Sequence, residues 1–185
     1  MTANRLLIFP VMAITLIYAC SVKSQITKKR CIQIITVILT CFSGFRSWQM
    51  GDVYSYCNTY LECNRPGWTL DLTDGRQIGL QLFFRTAGRL GLSFEVCLFL
   101  IAAFVAITLG VLIYKYSPSP YWSYVIYLSM GYYILSFNIL KQIIAMGFVV
   151  LAMMAVIEHK PVKFLLWVII AGLFHFPALI FLAAY

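Results

Sequence analysis

Acidic residues are scarce in this 185-residue chain: six Asp and Glu stand against 14 Lys and Arg, and charged residues of both signs make up only 11%. Soluble domains carry about 25% charged and about 45–50% apolar residues. This chain is 62% hydrophobic, with a mean hydropathy of +0.88. Too little polar surface remains to keep it in water, which excludes a soluble globular domain, a disordered tail and a nucleic-acid-binding module. Histidine is nearly missing, at two residues, and no His, Asp and Glu cluster has metal-ligand spacing. No glycine-rich loop is present to cradle a nucleotide phosphate, and no GxSxG elbow to present a serine nucleophile. The chemistry expected is therefore free of metal and cofactor. No internal repeat is visible, which weighs against an inverted-repeat transporter fold.

What the chain has instead is long apolar runs. They predict an all-α fold: a polytopic membrane helix bundle of about six transmembrane spans with one amphipathic helix at its outer surface, forming a single integral membrane domain. The spans are expected at 6–22, 31–46, 91–114, 121–137, 139–157 and 162–184. A cleaved signal peptide competes for the first of these, because Arg5 supplies a short basic start; bulky Tyr18 ahead of Cys20 and the basic loop that follows favour a retained span. The second is short and is expected to extend into that basic loop or past Arg46. Residues 46–78 form the one long polar loop, with Pro66-Gly67 and Asp74-Gly75 as turn signals. Over 79–90, Leu80, Phe83, Phe84, Ala87 and Leu90 share one helical face, and Gln81, Arg85 and Arg89 the other, the pattern of a helix lying at a membrane surface. The apolar end of the chain, without a polar tail, is expected of the amino-terminal portion of a longer protein. Cys20, Cys31, Cys41 and Cys97 sit in apolar runs as small hydrophobes. Cys57 and Cys63 share the polar loop, where a disulfide is open to them if the loop meets an oxidising compartment.

Basic residues in short loops orient such a bundle. Lys23, Lys28, Lys29 and Arg30 form the densest positive cluster. With that loop in the cytoplasm, alternation puts Lys115, Lys160 and Lys163 there too. The 46–90 segment and a tight hairpin near Asn138 fall outside. Charge inside a bilayer costs about 2.5–3.5 kcal/mol on insertion scales, so the polar residues left in or beside spans are informative. Lys141, one turn inside its span beside Asn138 and Gln142, reads either as a snorkelling lysine or as an ammonium held for an anionic group. His175 in Phe174-His175-Phe176-Pro177 reads either as a packed, hydrogen-bonded histidine or as a base, and Pro177 favours a kink beside it. Arg46 reads as a helix-end anchor, Arg85 and Arg89 as a solvated face touching lipid phosphates. Yet Arg46, Asp52, Arg85, Arg89, Lys141 and His175 all fall on the outer side. Guanidinium and ammonium groups recognise phosphate oxygens, and an imidazole can take a proton from a hydroxyl. Together they imply a lipid-linked phosphate or diphosphate as substrate at the external leaflet.

The stretch from Phe45-Arg46 through Gly51-Asp52 to Tyr54-Ser55-Tyr56 resembles the arginine, glycine-aspartate, tyrosine signature of EpsG-like and Wzy-type polysaccharide polymerases. Gly91-Leu92-Ser93-Phe94-Glu95-Val96, Asn138-Ile139-Leu140-Lys141-Gln142-Ile143-Ile144-Ala145 and Leu173-Phe174-His175-Phe176-Pro177-Ala178-Leu179-Ile180 resemble their later motifs, in order. Lys141 replaces an arginine, keeping charge but losing the bidentate fork; Gln77 is neutral where an acid is common, and Asp52 follows Gly51 without a spacer. The resemblance implies polymerisation of lipid-linked oligosaccharide repeat units into O-antigen, capsule or exopolysaccharide, by glycosyl transfer from undecaprenyl diphosphate in the bacterial cytoplasmic membrane. It implies His175 as general base, with Asp52 assisting it or orienting an arginine. Arg46, Arg85, Arg89, Asn138, Lys141 and Gln142 would hold the diphosphate-linked substrate. Membrane lipid, a chain-length regulator and a flippase are the implied partners, and nucleic acid is not among them. A lipid-linked sugar flippase or transport component, and an inactive remnant, are the competing functions.

Overall fold

The computed structural model describes residues 25–46, 52–73 and 78–185. The expected span at 6–22, with its signal-peptide alternative, Cys20, Lys23, Gly51, the Asp74-Gly75 turn and Gln77 lie outside the described residues. Among the described residues every regular element is helical: α1 (Gln25–Gly44), α2 (Val53–Cys63), α3 (Ile78–Arg89), α4 (Phe94–Tyr116), α5 (Pro120–Ser129), α6 (Tyr132–Leu135), α7 (Leu140–Ile157), α8 (Pro161–Phe174) and a 3₁₀ segment (Phe176–Ala184). Two of them, α4 and α7, are long and apolar enough to cross a membrane.

Helix α4 starts where Ser93 caps it through the Val96 N–H and ends on Lys115 and Tyr116 before the Ser117-Pro118 break. It lies antiparallel to α1. Gly44 allows this contact, since a Cβ there would sit 2.6 Å from the Phe99 ring, and Lys28 at the far end of α1 reaches over the Tyr114 ring at 5.8 Å. On its other side α4 runs parallel to α7, where Gly147 accepts the Phe104 ring and Phe104 meets Phe148 at 4.7 Å. Small residues that let helices approach closely are the usual membrane packing device. Helix α8 returns antiparallel to α7 through Ala152, Ala155, Phe164 and Val168.

Three expected segments take another form. The 121–137 span is not one helix. It divides into α5, ten residues, and the single turn α6, around Gly131 at φ 76°. Ten residues rise only about 15 Å, half a hydrocarbon core. The 162–184 span is a hairpin. Helix α8 stops at Phe174, because Pro177 removes a donor and its ring disfavours continuation, and His175 turns extended at φ −150°, ψ 102°. The 3₁₀ segment then runs back along α8, bringing Tyr185 to 5.1 Å from Phe164 and Leu179 against Gly172. The polar 46–78 loop holds α2, an element its hydroxyl-rich sequence did not advertise. Cys57 and Cys63 both lie on that helix as buried free thiols. They stand six positions apart on the helix, about 9 Å along its axis, beyond disulfide reach.

Helices α2 and α3 close over one end of the bundle. Val53, Cys57, Leu80 and Phe84 bury themselves with Phe94, Cys97, Leu140 and Ile144, around a ring cluster of Tyr60, Phe84 and Phe94 in which Phe84 meets both others edge-on. The amphipathic helix therefore stands within a residue of its expected place, but its apolar face is covered by protein, except at Leu90, which is 70% exposed.

Candidate functional site

The bundle has two chemically different ends. One carries Lys28, Lys29, Arg30, Lys115, Glu158, Lys160 and Lys163. The other carries Arg46, the α2–α3 cover, the start of α7 and the His175 turn. All eight candidate residues belong to this second end.

Their environments differ sharply. Arg46, just past the end of α1, is 9% exposed. Its Nη1 donates to the carbonyls of Ser136 and Phe137, each at 3.3 Å, and its guanidinium lies 5.9 Å from the Phe137 ring. Its Nε is buried without a partner. A cavity of about 20 Å³, lined by Arg46, Ser43 and Ser136 among apolar neighbours, adjoins it; a space of that size admits about one water. No ion pair joins Arg46 to Asp52. Arg85 donates through Nη1 to the Cys63 carbonyl at the end of α2, at 2.9 Å, and stacks 5.4 Å from Trp68. Gln81, on the same stripe, is buried and exchanges two hydrogen bonds with the main chain of Asp71. The stripe thus faces the 63–71 connection, and only Arg89 projects free into the surroundings.

Asp52 is exposed at the start of α2, where its carbonyl accepts the Tyr56 N–H at 3.1 Å. One turn on, Tyr56 packs half-buried against the Leu140 cluster. Burial pushes this phenol above its ordinary value; the backbone at Lys141 and Leu140 opposes the rise, Asp52 adds to it, and Arg46 opposes it. Tyr56 stood in the sequence motif without a role. The signal that would have found it is the 52–56 spacing, one helical turn that puts carboxylate and phenol on one face.

Asn138, Lys141 and Gln142 are half-buried at the start of α7. The Lys141 ammonium has no hydrogen-bond or ion-pair partner among the described residues. Lys141 sits one turn outward of Ala145, and Ala145 packs with Ala171 and Ala178. His175, half-buried, lies between those two alanines in the chain. Its backbone N–H bonds Ala171 O and its carbonyl accepts from Ala178, both at 2.9 Å. Lys141 and His175 therefore occupy the same layer, on facing elements. A cavity of about 120 Å³ lined by Phe83, Phe104, Ile144, Phe148 and Phe174 lies beneath the α3 cover. Among the described residues no three His, Cys, Asp or Glu side chains converge as a metal site.

The arrangement offers one imidazole, one unpaired ammonium and one exposed guanidinium around an end where helices are interrupted. A family model described as the EpsG family matches residues 29–185. No curated protein and no solved structure matches the chain.

Proposed function

The chain belongs to the EpsG family, and from that premise we propose that it is a membrane polymerase of surface polysaccharide. It would join lipid-linked oligosaccharide repeat units by glycosyl transfer from a polyprenyl diphosphate. The observation that carries this reading is the shared layer of His175 and Lys141 at the bundle end that gathers every candidate residue. The opposite end collects the short-loop lysines and Arg30, so positive-inside counting turns the His175 end outward, in a multi-pass protein of the bacterial cytoplasmic membrane.

Chemically, the acceptor hydroxyl gives its proton to the His175 imidazole as its oxygen bonds the donor's anomeric carbon. The anomeric C–O bond to the diphosphate breaks, and the electron pair leaves with that oxygen. Lys141 and Arg89 meet the developing charge, Asn138 and Gln142 supply neutral hydrogen bonds beside it, and Asp52 favours the imidazolium. Arg46 and Arg85 have hydrogen bonds committed to backbone carbonyls, so they serve the diphosphate with what donors remain. Partly dehydrated cations stabilise such charge more than solvated ones.

Complementation of a host lacking the gene tests this, read as the size ladder of surface glycan. His175→Ala should cut chain extension by about 10²-fold or more at unchanged protein level, leaving single repeat units on the outer face. Long chains made by His175→Ala would remove the base. Single units trapped on the inner face would instead identify a translocation component, and no ladder from the unaltered chain an inactive one.

A further inference from the structure

The two helical pieces of the 121–137 segment are packed differently. Helix α5 is buried through Tyr124 and Leu128 against Ile32, Ile35 and Ile113. Beyond Gly131, the α6 turn is tied to α1, where the Tyr133 hydroxyl donates to the Leu39 carbonyl at 2.9 Å. On its other side, between α6 and α7 and with α4 at its back, lies a groove of about 260 Å³. Leu135 and Ile139 stand at its outer rim, Thr108 and Val150 at its floor. Ile139 and Val150 are eleven positions apart, about 16 Å of helix rise, close to one leaflet of a hydrocarbon core about 30 Å thick. Among the described residues no charged side chain lines the groove, and the Thr108 hydroxyl is already donated to Val105 O at 2.9 Å. Such a wall suits hydrocarbon rather than sugar, whose hydroxyls would be buried without partners.

A cation stands beside the outer part of this groove. Val105, Leu109, Tyr127 and Ile143 wall both the groove and the small cavity at Arg46, and the buried Arg46 Nε has no partner. An apolar slot one leaflet deep, with an unspent arginine donor next to it, fits a lipid whose head is anionic. Along α7 the groove takes positions 143, 146 and 150, while Lys141 and Ala145 fall on the opposite side of the helix. We propose that the groove seats the head-proximal isoprenoid units of an outer-leaflet polyprenyl diphosphate. The tail lies between α6 and α7, and the head passes over the start of α7 toward Lys141 and His175. The identity of the lipid rests on the polymerase reading; the groove itself stands on the packing.

The test uses the full chain in vesicles of phosphatidylcholine and phosphatidylglycerol that hold a polyprenyl diphosphate. A benzophenone-bearing residue is encoded in place of Met146 or, as control, of Met153. These methionines are 51% and 47% exposed on the same helix, and of the two only Met146 lines the groove. Irradiation should give a polyprenyl diphosphate adduct at 146, enriched about tenfold over its share of the lipid, and at 153 phospholipid adducts in proportion to the mixture. Leu135→Trp on the facing wall, and Ile139→Trp at the rim, should each lower the 146 adduct about tenfold, the loss from excluding about two methylene groups of the tail. Neither should change the adducts at 153. Polyprenol, which lacks the charge, should compete about tenfold less well than polyprenyl phosphate. Phospholipid as the main adduct at 146, a cross-link there to residues 6–22 or to a second copy, an adduct that survives both tryptophans, or equal competition by polyprenol would each overturn the proposal. Adducts form without catalysis. Long chains made by His175→Ala would therefore remove the base and leave the groove, while a chain that polymerises without the 146 adduct would remove the groove alone.

Discussion

At the Glu158 end of the bundle, charge meets charge. Glu158, just past the end of α7, takes Lys115 at 3.3 Å, the Tyr116 hydroxyl at 3.3 Å, and Lys160. At the Arg46 end, cations meet backbone. Arg46 is spent on Ser136 and Phe137, and Arg85 on Cys63. Asn64 adds bonds to Tyr60 O and Phe84 O. The difference follows from where the helices are interrupted. Regular helices satisfy themselves and leave side chains free to pair on the surface, where pairing is worth little. Interrupted helices at a membrane boundary expose carbonyls, which only donors can quiet. That is why the second end can be rich in arginine in a chain so poor in acids, and why two of its arginines are fastened while Lys141 and Arg89 keep their charge available.

The sharpest way to break this contrast is to remove the most buried fastening. Arg46→Met keeps length and apolar bulk but leaves two carbonyls without a donor. Each such group costs about 1–3 kcal/mol, and loss of the unpartnered Nε offsets part of it. A net loss of about 2–4 kcal/mol is expected, read as unfolding in detergent. Stability equal to the parent would mean the arginine is held for a ligand rather than for the fold.

How much of this was legible in the sequence depends on what kind of signal each feature leaves. Continuous apolar runs are loud: α4 and α7 stand within three residues of their expected bounds at 91–114 and 139–157. Helix α3 follows its 3.6-residue pattern. Pro177 announced a disturbance but not its size, because the apolar residues after it look the same whether the chain continues or doubles back. Gly131 is one residue in a window of twenty, so averaging hid the break in 121–137. Helix α2 was missed because Val53, Cys57 and Tyr60 do repeat at helical spacing, but among serines, threonines and tyrosines that read as loop. Charge counting grouped the site residues at one end. It could not tell that Arg46 is buried, since its partners are two main-chain carbonyls some ninety positions away, and a carbonyl has no letter in the sequence.

A middle-sized effect sharpens the comparison at the α2–α3 crossing. A Cβ on Gly88 would lie 1.8 Å from Asn64 Oδ1, so Gly88→Ala must displace Asn64 from both of its carbonyls. Helix propensity returns up to about 1 kcal/mol. Two lost hydrogen bonds and the clash outweigh it, for a net cost of about 1–2 kcal/mol. In an Asn64→Ala background the clash is gone, and Gly88→Ala should become neutral or stabilising. Additive losses in that pair would show that the crossing, not Asn64, needs the glycine.

The smallest effect is expected at the other end, and its signature is its dependence on conditions. Lys160 and then Lys115 hold the Glu158 carboxylate below its ordinary 4.5, down to about 2. A carboxylate lowered by folding stabilises the native state fully above its unfolded value and loses that contribution as pH falls through the folded one. Glu158→Gln should therefore unfold slightly earlier than the parent at pH 7. The gap should narrow between about pH 4.5 and pH 2, and it should shrink in high salt because the pair is exposed. Arg46→Met must show neither behaviour, since a guanidinium bonded to carbonyls titrates nowhere in that range and lies out of reach of counterions. A salt-insensitive Glu158→Gln, or a salt-sensitive Arg46→Met, would erase the distinction between an end that pairs charges in water and an end that stitches broken helices with them.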